Sequence, residues 1–310
     1  MHDRDAVRRA QPLLGTFVEI TVFGVAADDA DEAIARAFAA IARVHRLMSF
    51  HDGDSDVSRL NRRAAAEAVA VAPWTFQVLE AAAELHRRSA GAFDIAVAPA
   101  LQRMGLLPRH GADDAGKLPG AGAIELRADG RVRFHDPAVR IDLGGIAKGF
   151  AVDCAVAALQ ASGVAAAVVN AGGDLVAYGP FSHAVELRDP RSGGPWLRTR
   201  LRDQALASTG RTVDLVRSGM ADNLAVIDPA SGMPATAVAG AAVWAPSCMI
   251  ADALTKIAVV AGDAALAVLD HYQARALLVS CDGEIRVSAP ELLAAGRLEA
   301  VGSTGAIDAA

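Results

Sequence analysis

The sequence predicts an α+β protein with mixed or antiparallel sheets and packed helices. Three observations carry that prediction. Strand-like alternation and helical periodicity come in blocks, not in strict strand–helix–strand alternation, which argues against a doubly wound parallel sheet. Hydrophobic residues make up 53% and charged residues 21% of the 310 positions, enough apolar material for a large core. Aromatic residues are only 5%, so that core is built mainly from Ala and Val, and its layers can approach closely. No period of roughly 20–50 residues marks a solenoid. The chain is expected to fold as one domain over residues 1–310, or as two intertwined subdomains of it.

The elements follow in order. Residues 14–24 (LLGTFVEITVF) alternate around Thr16, Val18, Ile20 and Val22 and predict a strand. From Asp28 to about Met48 the residues Ile34, Phe38, Ile41 and Val44 recur at helical spacing. The acidic start of that segment suits a helix N-terminus. A polar loop, His51 to Ser55, comes next, then a helix from Pro73 to Arg88 that stops near Gly91. Residues 105–122 are rich in Gly, Pro and Asp and predict a surface excursion. Ile124–Arg127 and Arg131–Phe134 flank Asp129-Gly130, a hairpin signal. Phe150 to Gln160 predicts a third helix, 164–245 several strands, and Ser247 to Val260 a fourth helix with Ser247 as N-cap. A last hairpin turns at Asp282-Gly283.

Composition removes several function classes. The formal net charge is −6, without the basic face of a nucleic-acid binder. The alanine-rich stretch 235–270 is broken by Asp252, Lys256 and Asp263, so no membrane insertion is expected. Cys154, Cys248 and Cys281 are sparse, odd in number and free of CxxC spacing, which predicts reduced thiols rather than disulfides or a zinc knuckle. The start Met1-His2-Asp3-Arg4 has no apolar h-region and no lipobox cysteine, so a cytoplasmic location is expected. There is no GxxxxGK[ST], no GxGxxG after a strand, no HExxH and no GxSxG.

Four stretches remain that can carry chemistry. In Ile141 to Phe150, paired glycines Gly144-Gly145 at a strand end precede a helix, exposing backbone N–H groups to a phosphate, with Lys148 as a movable cation. In Val169 to Asp174, Gly172-Gly173 permits close approach of a ligand or of another strand. In Gly91-Ala92-Phe93-Asp94, Asp94 can accept hydrogen bonds from a heterocyclic ring. In Ala251 to Lys256, Asp252 lies in an apolar helix and needs a cation: Lys256, Lys148 or a metal. The plainer alternatives are a tight turn, a bulge, a core phenylalanine and a helical ion pair.

These pieces in this order, with Pro12 to Thr16, Met48 to Phe50, Ser55 to Asn61, Ser208-Thr209-Gly210 and Ile227-Asp228-Pro229, resemble the ApbE-type FAD:protein FMN transferases. The resemblance covers roughly residues 10–265. It implies a T-fold-like α+β core and FAD bound in a cleft. It implies transfer of the FMN half onto a threonine hydroxyl of a target flavoprotein, with release of AMP and assistance from Mg²⁺. The metal would be held by the Asp252 carboxylate, the Ala147 carbonyl and Thr255. Flavin and adenosine contacts would come from Leu14, His51, Ala92, Phe93, Asp94, Gly144, Phe150 and Val226, with Asp142, Gly172, Gly173 and Lys256 also on the cofactor side. Lys148, Asp222 and Asp228 are the catalytic candidates. Leu14 stands where the family often has Met, and His51 where it often has Tyr; both keep an apolar or planar surface.

Two departures matter more. The family's His-x-x-Asp-Pro segment reads Ala225-Val226-Ile227-Asp228-Pro229. The resemblance assigns that histidine the role of base, and a positioned base is worth roughly 10²–10⁴-fold. Asp222 just upstream is the substitute within reach of the sequence. The family's metal-ligating threonine position is Lys256 here, and an ammonium cannot ligate Mg²⁺. Either Thr255 is presented instead, or the ammonium replaces part of the metal's charge. Three activities follow as expectations: FMN transfer, an FAD-holding module without transfer, or an FAD hydrolase giving FMN and AMP.

Overall fold

The computed structural model describes residues 6–108, 118–210, 226–236, 238–293 and 298–301. The chain opens with a hairpin, β1 (Ala6–Leu13) and β2 (Thr16–Phe23), whose two-residue turn Leu14-Gly15 has positive φ at both positions. That left-handed pair is the turn geometry that matches strand twist. β1 was not foreseen: AVRRAQPL has no apolar alternation, because it is an edge strand held by its backbone ladder to β2 rather than by a buried face.

Helix α1 (Ala27–Met48) follows, burying Ile34, Phe38, Ile41 and Val44 as its spacing predicts. A helix not foreseen, α2 (Asp56–Arg63), starts where the Ser55 side chain accepts from the Ser58 amide. Eight residues are too few for a periodic pattern to stand out, and the cap is its main signal. β3 (Val69–Ala70), α3 (Pro73–Arg88) and α4 (Ala98–Arg103) come next, then the hairpin β4 (Ile124–Leu126) and β5 (Arg131–Phe134), which with β3 makes a small sheet. Part of the expected 105–122 excursion, residues 109–117, lies outside the described residues.

After α5 (Ala147–Ala161) come β6 (Ala167–Ala171) and β7 (Asp174–Tyr178), then β8 (His183–Arg188), β9 (Pro195–Leu201) and β10 (Gln204–Gly210). The short pair β11 (Ile227–Asp228) and β12 (Met233–Pro234) precedes β13 (Gly240–Ala245) and α6 (Cys248–Ala261). α7 (Leu266–His271), β14 (Arg275–Val279), β15 (Ile285–Val287) and β16 (Leu298–Ala300) complete the described elements.

The central sheet runs β1-β2-β6-β7-β10-β13-β14-β15, antiparallel at every junction. One face packs on α1, α5 and α6 through Val18, Ile20, Val22, Val169 and Val243. The other packs on the sheet β16-β9-β8 through Leu175, Leu187, Leu206, Trp244 and Leu277. Strands β7 and β13 are therefore buried on both faces, which explains their continuous small apolar runs. Among the described residues no helix is long and apolar enough to cross a membrane.

Helices α5 and α6 meet at their N-termini. A Cβ on Gly149 would lie 2.2 Å from the Cys248 carbonyl oxygen, so only glycine permits this approach. Each helix then caps the other. Asp153 of α5 accepts from the Cys248 and Met249 amides at 2.8 and 2.9 Å, and Asp252 of α6 accepts from the Gly149 amide at 3.1 Å. These are the donors that a helix start leaves without partners, and a carboxylate suits the positive end of the dipole. Ser247 caps α6 as expected, accepting from the Ile250 amide.

Candidate active site

A cleft of about 300 Å³ opens where α5, α6, β10 and the segment after α3 converge. Its polar wall is Asp142, Gly144, Gly145, Lys148 and Lys256, and Gly172 with Ser208 to Gly210 closes one side. Its apolar wall is Ala92, Phe93, Leu106, Leu107 and Val226 with their neighbours. A larger cavity of about 580 Å³ lies between the two sheet layers and shares Gly172 and Ser208 to Gly210 with the cleft, but neither lysine lines it. The larger cavity carries Arg188 beside Glu19 and Glu186, whereas the smaller cleft brings two lysines together.

Local chemistry holds each wall in place. Asp94 accepts from the Ala96 and Ala121 amides at 2.6 and 2.9 Å, with His86 Nδ1 at 3.3 Å. His86 Nδ1 also lies 3.1 Å from the Phe93 carbonyl, and the Phe93 amide donates to Ser89 Oγ at 2.9 Å. Phe93 is thus pinned on both sides of its peptide. The expected strand before Gly144-Gly145 is replaced by an irregular segment. Ile141 donates its amide to Asn61 Oδ1 at 2.7 Å and accepts from Asn61 Nδ2 at 2.9 Å, so a side-chain amide takes the bonds that a neighbouring strand would have taken. Asp142 then accepts from the Gly144 amide at 2.9 Å and turns the chain into α5. Burial pushes the Asp142 carboxyl above its ordinary range, against the Gly144 bond and nearby His51.

Gly172 and Gly173 form the two-residue β6–β7 turn, both at positive φ. A Cβ on Gly172 would meet Thr16 Oγ1 at 2.4 Å, so the close approach here is to the tip of the β1–β2 hairpin. Directly after this turn stands Asp174, which belongs to the charged cluster and was not singled out from the sequence. Its signal was a carboxylate following two turn glycines.

The cluster pairs Asp174 with Lys148, and Asp252 with Lys256; Lys148 Nζ also lies 3.6 Å from Asp252 Oδ1. The carboxylates sit behind, with side chains 1% and 0% exposed, while Lys148 and Lys256 are 24% and 19% exposed and face the cleft. Burial raises the Asp174 carboxyl, and the neighbouring Asp252 charge adds to this against the pull of the lysines. Burial also acts on Asp252, but Lys148, Lys256 and the Gly149 amide outweigh it and hold Asp252 below its ordinary range. Asp252 therefore stays ionised beside its ammonium.

The expected residues divide clearly. Ala92, Phe93, Asp94, Asp142, Gly144, Lys148, Gly172, Val226 and Lys256 come together in the cleft lining. Gly173 stands beside them, its amide donating to Asn170 Oδ1. Phe150 is not in the lining: it is buried and packs edge-on against Trp74, 6.0 Å between ring centroids. Leu14 lies in the hairpin turn and His51 on an exposed loop, its amide donating to Ser49 Oγ. Asp228 is not in the cleft lining and closes its own turn, accepting from the Ala230 amide at 3.0 Å and from Ser231 Oγ at 2.7 Å. Asp222 and Ala225 lie outside the described residues.

The donor set does not fit the Mg²⁺ implied by the resemblance. Asp252 Oδ1 faces the two lysines and Oδ2 takes the Gly149 amide. The Thr255 hydroxyl is buried and donates to the Asp252 carbonyl at 2.7 Å. Among the described residues no three His, Cys, Asp or Glu side chains cluster to hold a metal. A hard cation needs several oxygens, and here ammonium groups stand against the carboxylates instead.

The family model described as the ApbE family matches residues 14–289. The chain is similar to an FAD:protein FMN transferase of Rhodobacter capsulatus, 32% identical over 93% of this chain and 58% of that protein. The chain thus spans little more than half the length of that relative. It is 27% identical to an FAD:protein FMN transferase of Treponema pallidum, over 91% of this chain and 86% of that one. Its structure resembles the ApbE protein of Thermotoga maritima with a TM-score of 0.79 and 28% identity, covering 91% of this chain and 96% of that one.

Proposed function

The chain belongs to the ApbE family, and from that premise we propose that it is an enzyme that binds FAD in the cleft and transfers the FMN half to a threonine of an acceptor flavoprotein, releasing AMP. The observation that carries this reading is the pair of ammonium groups, Lys148 and Lys256, on the wall of a cleft that also offers a glycine turn and an apolar face. A dinucleotide needs this combination: cations for its pyrophosphate and apolar surface for its rings.

In the proposed reaction the threonine hydroxyl oxygen attacks the phosphorus that bears the flavin ribityl chain. The new P–O bond forms as the P–O bond to AMP breaks, and AMP leaves with that electron pair. The hydroxyl proton passes to a base. Such a transfer needs alignment and charge neutralisation more than covalent help from the protein. Lys148 and Lys256 supply positive charge at the phosphates. Phe93 and Val226 exclude water from the ring end, and Asp94 holds the Ala96 and Ala121 amides in position. Asp222 is the base candidate in a chain that carries Ala225 in place of histidine.

The test uses products. The purified chain is incubated with FAD, with and without an acceptor protein that carries the target threonine. Flavin fluorescence on the acceptor in a denaturing gel, with AMP in equal amount, is the expected outcome. The missing histidine favours two weaker activities that the same assay separates. Free FMN and AMP without acceptor mean hydrolysis, and bound, unchanged FAD means a binding module; either result without acceptor labelling refutes transfer. Ala225→His is expected to raise the transfer rate, toward the roughly 10²–10⁴-fold of a positioned base.

A further inference from the structure

Resting on the FAD reading above, we propose that Lys256 is a built-in cation: its ammonium holds the place of a divalent metal, so this chain binds the dinucleotide's pyrophosphate without one. The geometry supplies three reasons. First, Lys256 reaches Asp252 across one helical turn of α6, so the helix itself keeps the ammonium on that carboxylate. Second, Asp252 is fully buried and already committed at its other oxygen to the α5 N-terminus, so it offers one oxygen, and Lys256 takes it. Third, the charge is balanced without a metal. Asp174 and Asp252 lie behind Lys148 and Lys256, one carboxylate for each ammonium.

An ammonium carries three N–H donors. Pairing with a carboxylate uses one and leaves donors for ligand oxygens in the cleft that Lys256 lines. Lys148 belongs to the same arrangement but comes from α5, two residues from Phe150 and beside the glycine turn. The two helices thus each bring one cation to the same point, and their mutual capping fixes the spacing. Removing Lys256 would leave two buried carboxylates facing one lysine, a surplus negative charge, with Asp252 Oδ1 keeping only Lys148 at 3.6 Å. That is a better metal site than the natural chain has.

Two readouts on the whole chain separate this inference from the FAD reading. The first is Mn²⁺ titration of flavin-free protein, followed by electron paramagnetic resonance. Wild type is expected to bind no Mn²⁺ at Asp252, and Lys256→Thr to gain one site that Asp252→Asn removes. A wild-type Mn²⁺ site lost in Asp252→Asn overturns the inference, whatever FAD does. The second is FAD affinity, by quenching of flavin fluorescence, in EDTA and in millimolar Mg²⁺. Wild type is expected to bind equally in both. Lys256→Thr is expected to weaken about tenfold in EDTA, the size of one lost charge-assisted contact, and to recover in Mg²⁺. Lys256→Arg keeps the charge and is expected to stay independent of Mg²⁺, which guards against a variant that fails only by misfolding. A tenfold loss of wild-type affinity in EDTA, restored by Mg²⁺, also overturns the inference. Absence of FAD binding in both buffers overturns the FAD reading and the pyrophosphate role of Lys256 together, and the Mn²⁺ titration still decides whether Lys256 holds the cation's place.

Discussion

Replacing Gly149 with alanine tests the crossing of α5 and α6 on which the site depends. Helix propensity favours the change by about 1 kcal/mol, since glycine is the poorer helix former. Sterics oppose it. The added Cβ would lie 2.2 Å from the Cys248 oxygen, 2.5 Å from its carbon and 2.8 Å from Met249 Cα, all backbone atoms that cannot swing aside. The helices must separate by about 1 Å, and overpacking of that kind costs about 1–3 kcal/mol. Separation also stretches the Asp252–Gly149 bond and the two Asp153 bonds, and each lost cap costs about 0.5–2 kcal/mol. Propensity offsets part of this, leaving a net destabilisation of about 2–5 kcal/mol. At about 2 °C per kcal/mol for a domain of this size, the melting temperature is expected to fall by about 4–10 °C. Urea unfolding gives the free energy and calorimetry the temperature, with Gln160→Ala on the exposed side of α5 as a control for propensity. A Gly149→Ala protein as stable as wild type, or more so, would refute the close crossing. FAD affinity is expected to fall with stability, because the same crossing spaces Lys148 from Lys256.

Three further outcomes are expected. Asp142→Asn changes the pH profile of stability: the folded carboxyl is raised by burial from 3.8, so its contribution is fully present below 3.8 and is lost as pH rises through the folded value. The variant is therefore expected to gain on wild type in urea midpoints as pH rises from about 4, near the unfolded carboxyl value, toward neutrality, and parallel profiles would refute the assignment. Asp94→Ala removes the acceptor for two amides and is expected to cost about 1.5–3 kcal/mol in urea unfolding; a loss below about 0.5 kcal/mol would show that the carboxylate does not hold the cleft wall. In native protein near pH 8, Ellman's reagent is expected to react rapidly with one thiol only: Cys281 is exposed, whereas burial pushes Cys154 up to about 12 and Cys248 well above its ordinary value. Cys281→Ser should abolish the fast phase, and a persisting fast phase would place a second reactive thiol at the surface.

Periodicity and turn chemistry carried most of the elements. The long helix beginning near Asp28, the helix begun by Pro73, the hairpins at Gly130 and Gly283 and the Ser247 cap are all local events, so neighbouring residues suffice to specify them. β1 escaped because an edge strand buries little and shows no alternation, and α2 because its cap is stronger than its period. In the site, the glycine turns and the Asp252–Lys256 pair were readable because spacing along one helix or one turn is local too.

The residue types, the family and the α+β class thus come from the chain as written. Which side chains meet does not. Asp174 joins Lys148 only because the β6–β7 turn comes to rest beside the start of α5, and Asp252 reaches Gly149 only because a glycine lets two helix ends touch. The same packing turned Phe150 into the core against Trp74. A carboxylate in an apolar helix says that it needs a positive partner. Burial and distance, which exist only after the layers have packed, decided that the partners are two lysines.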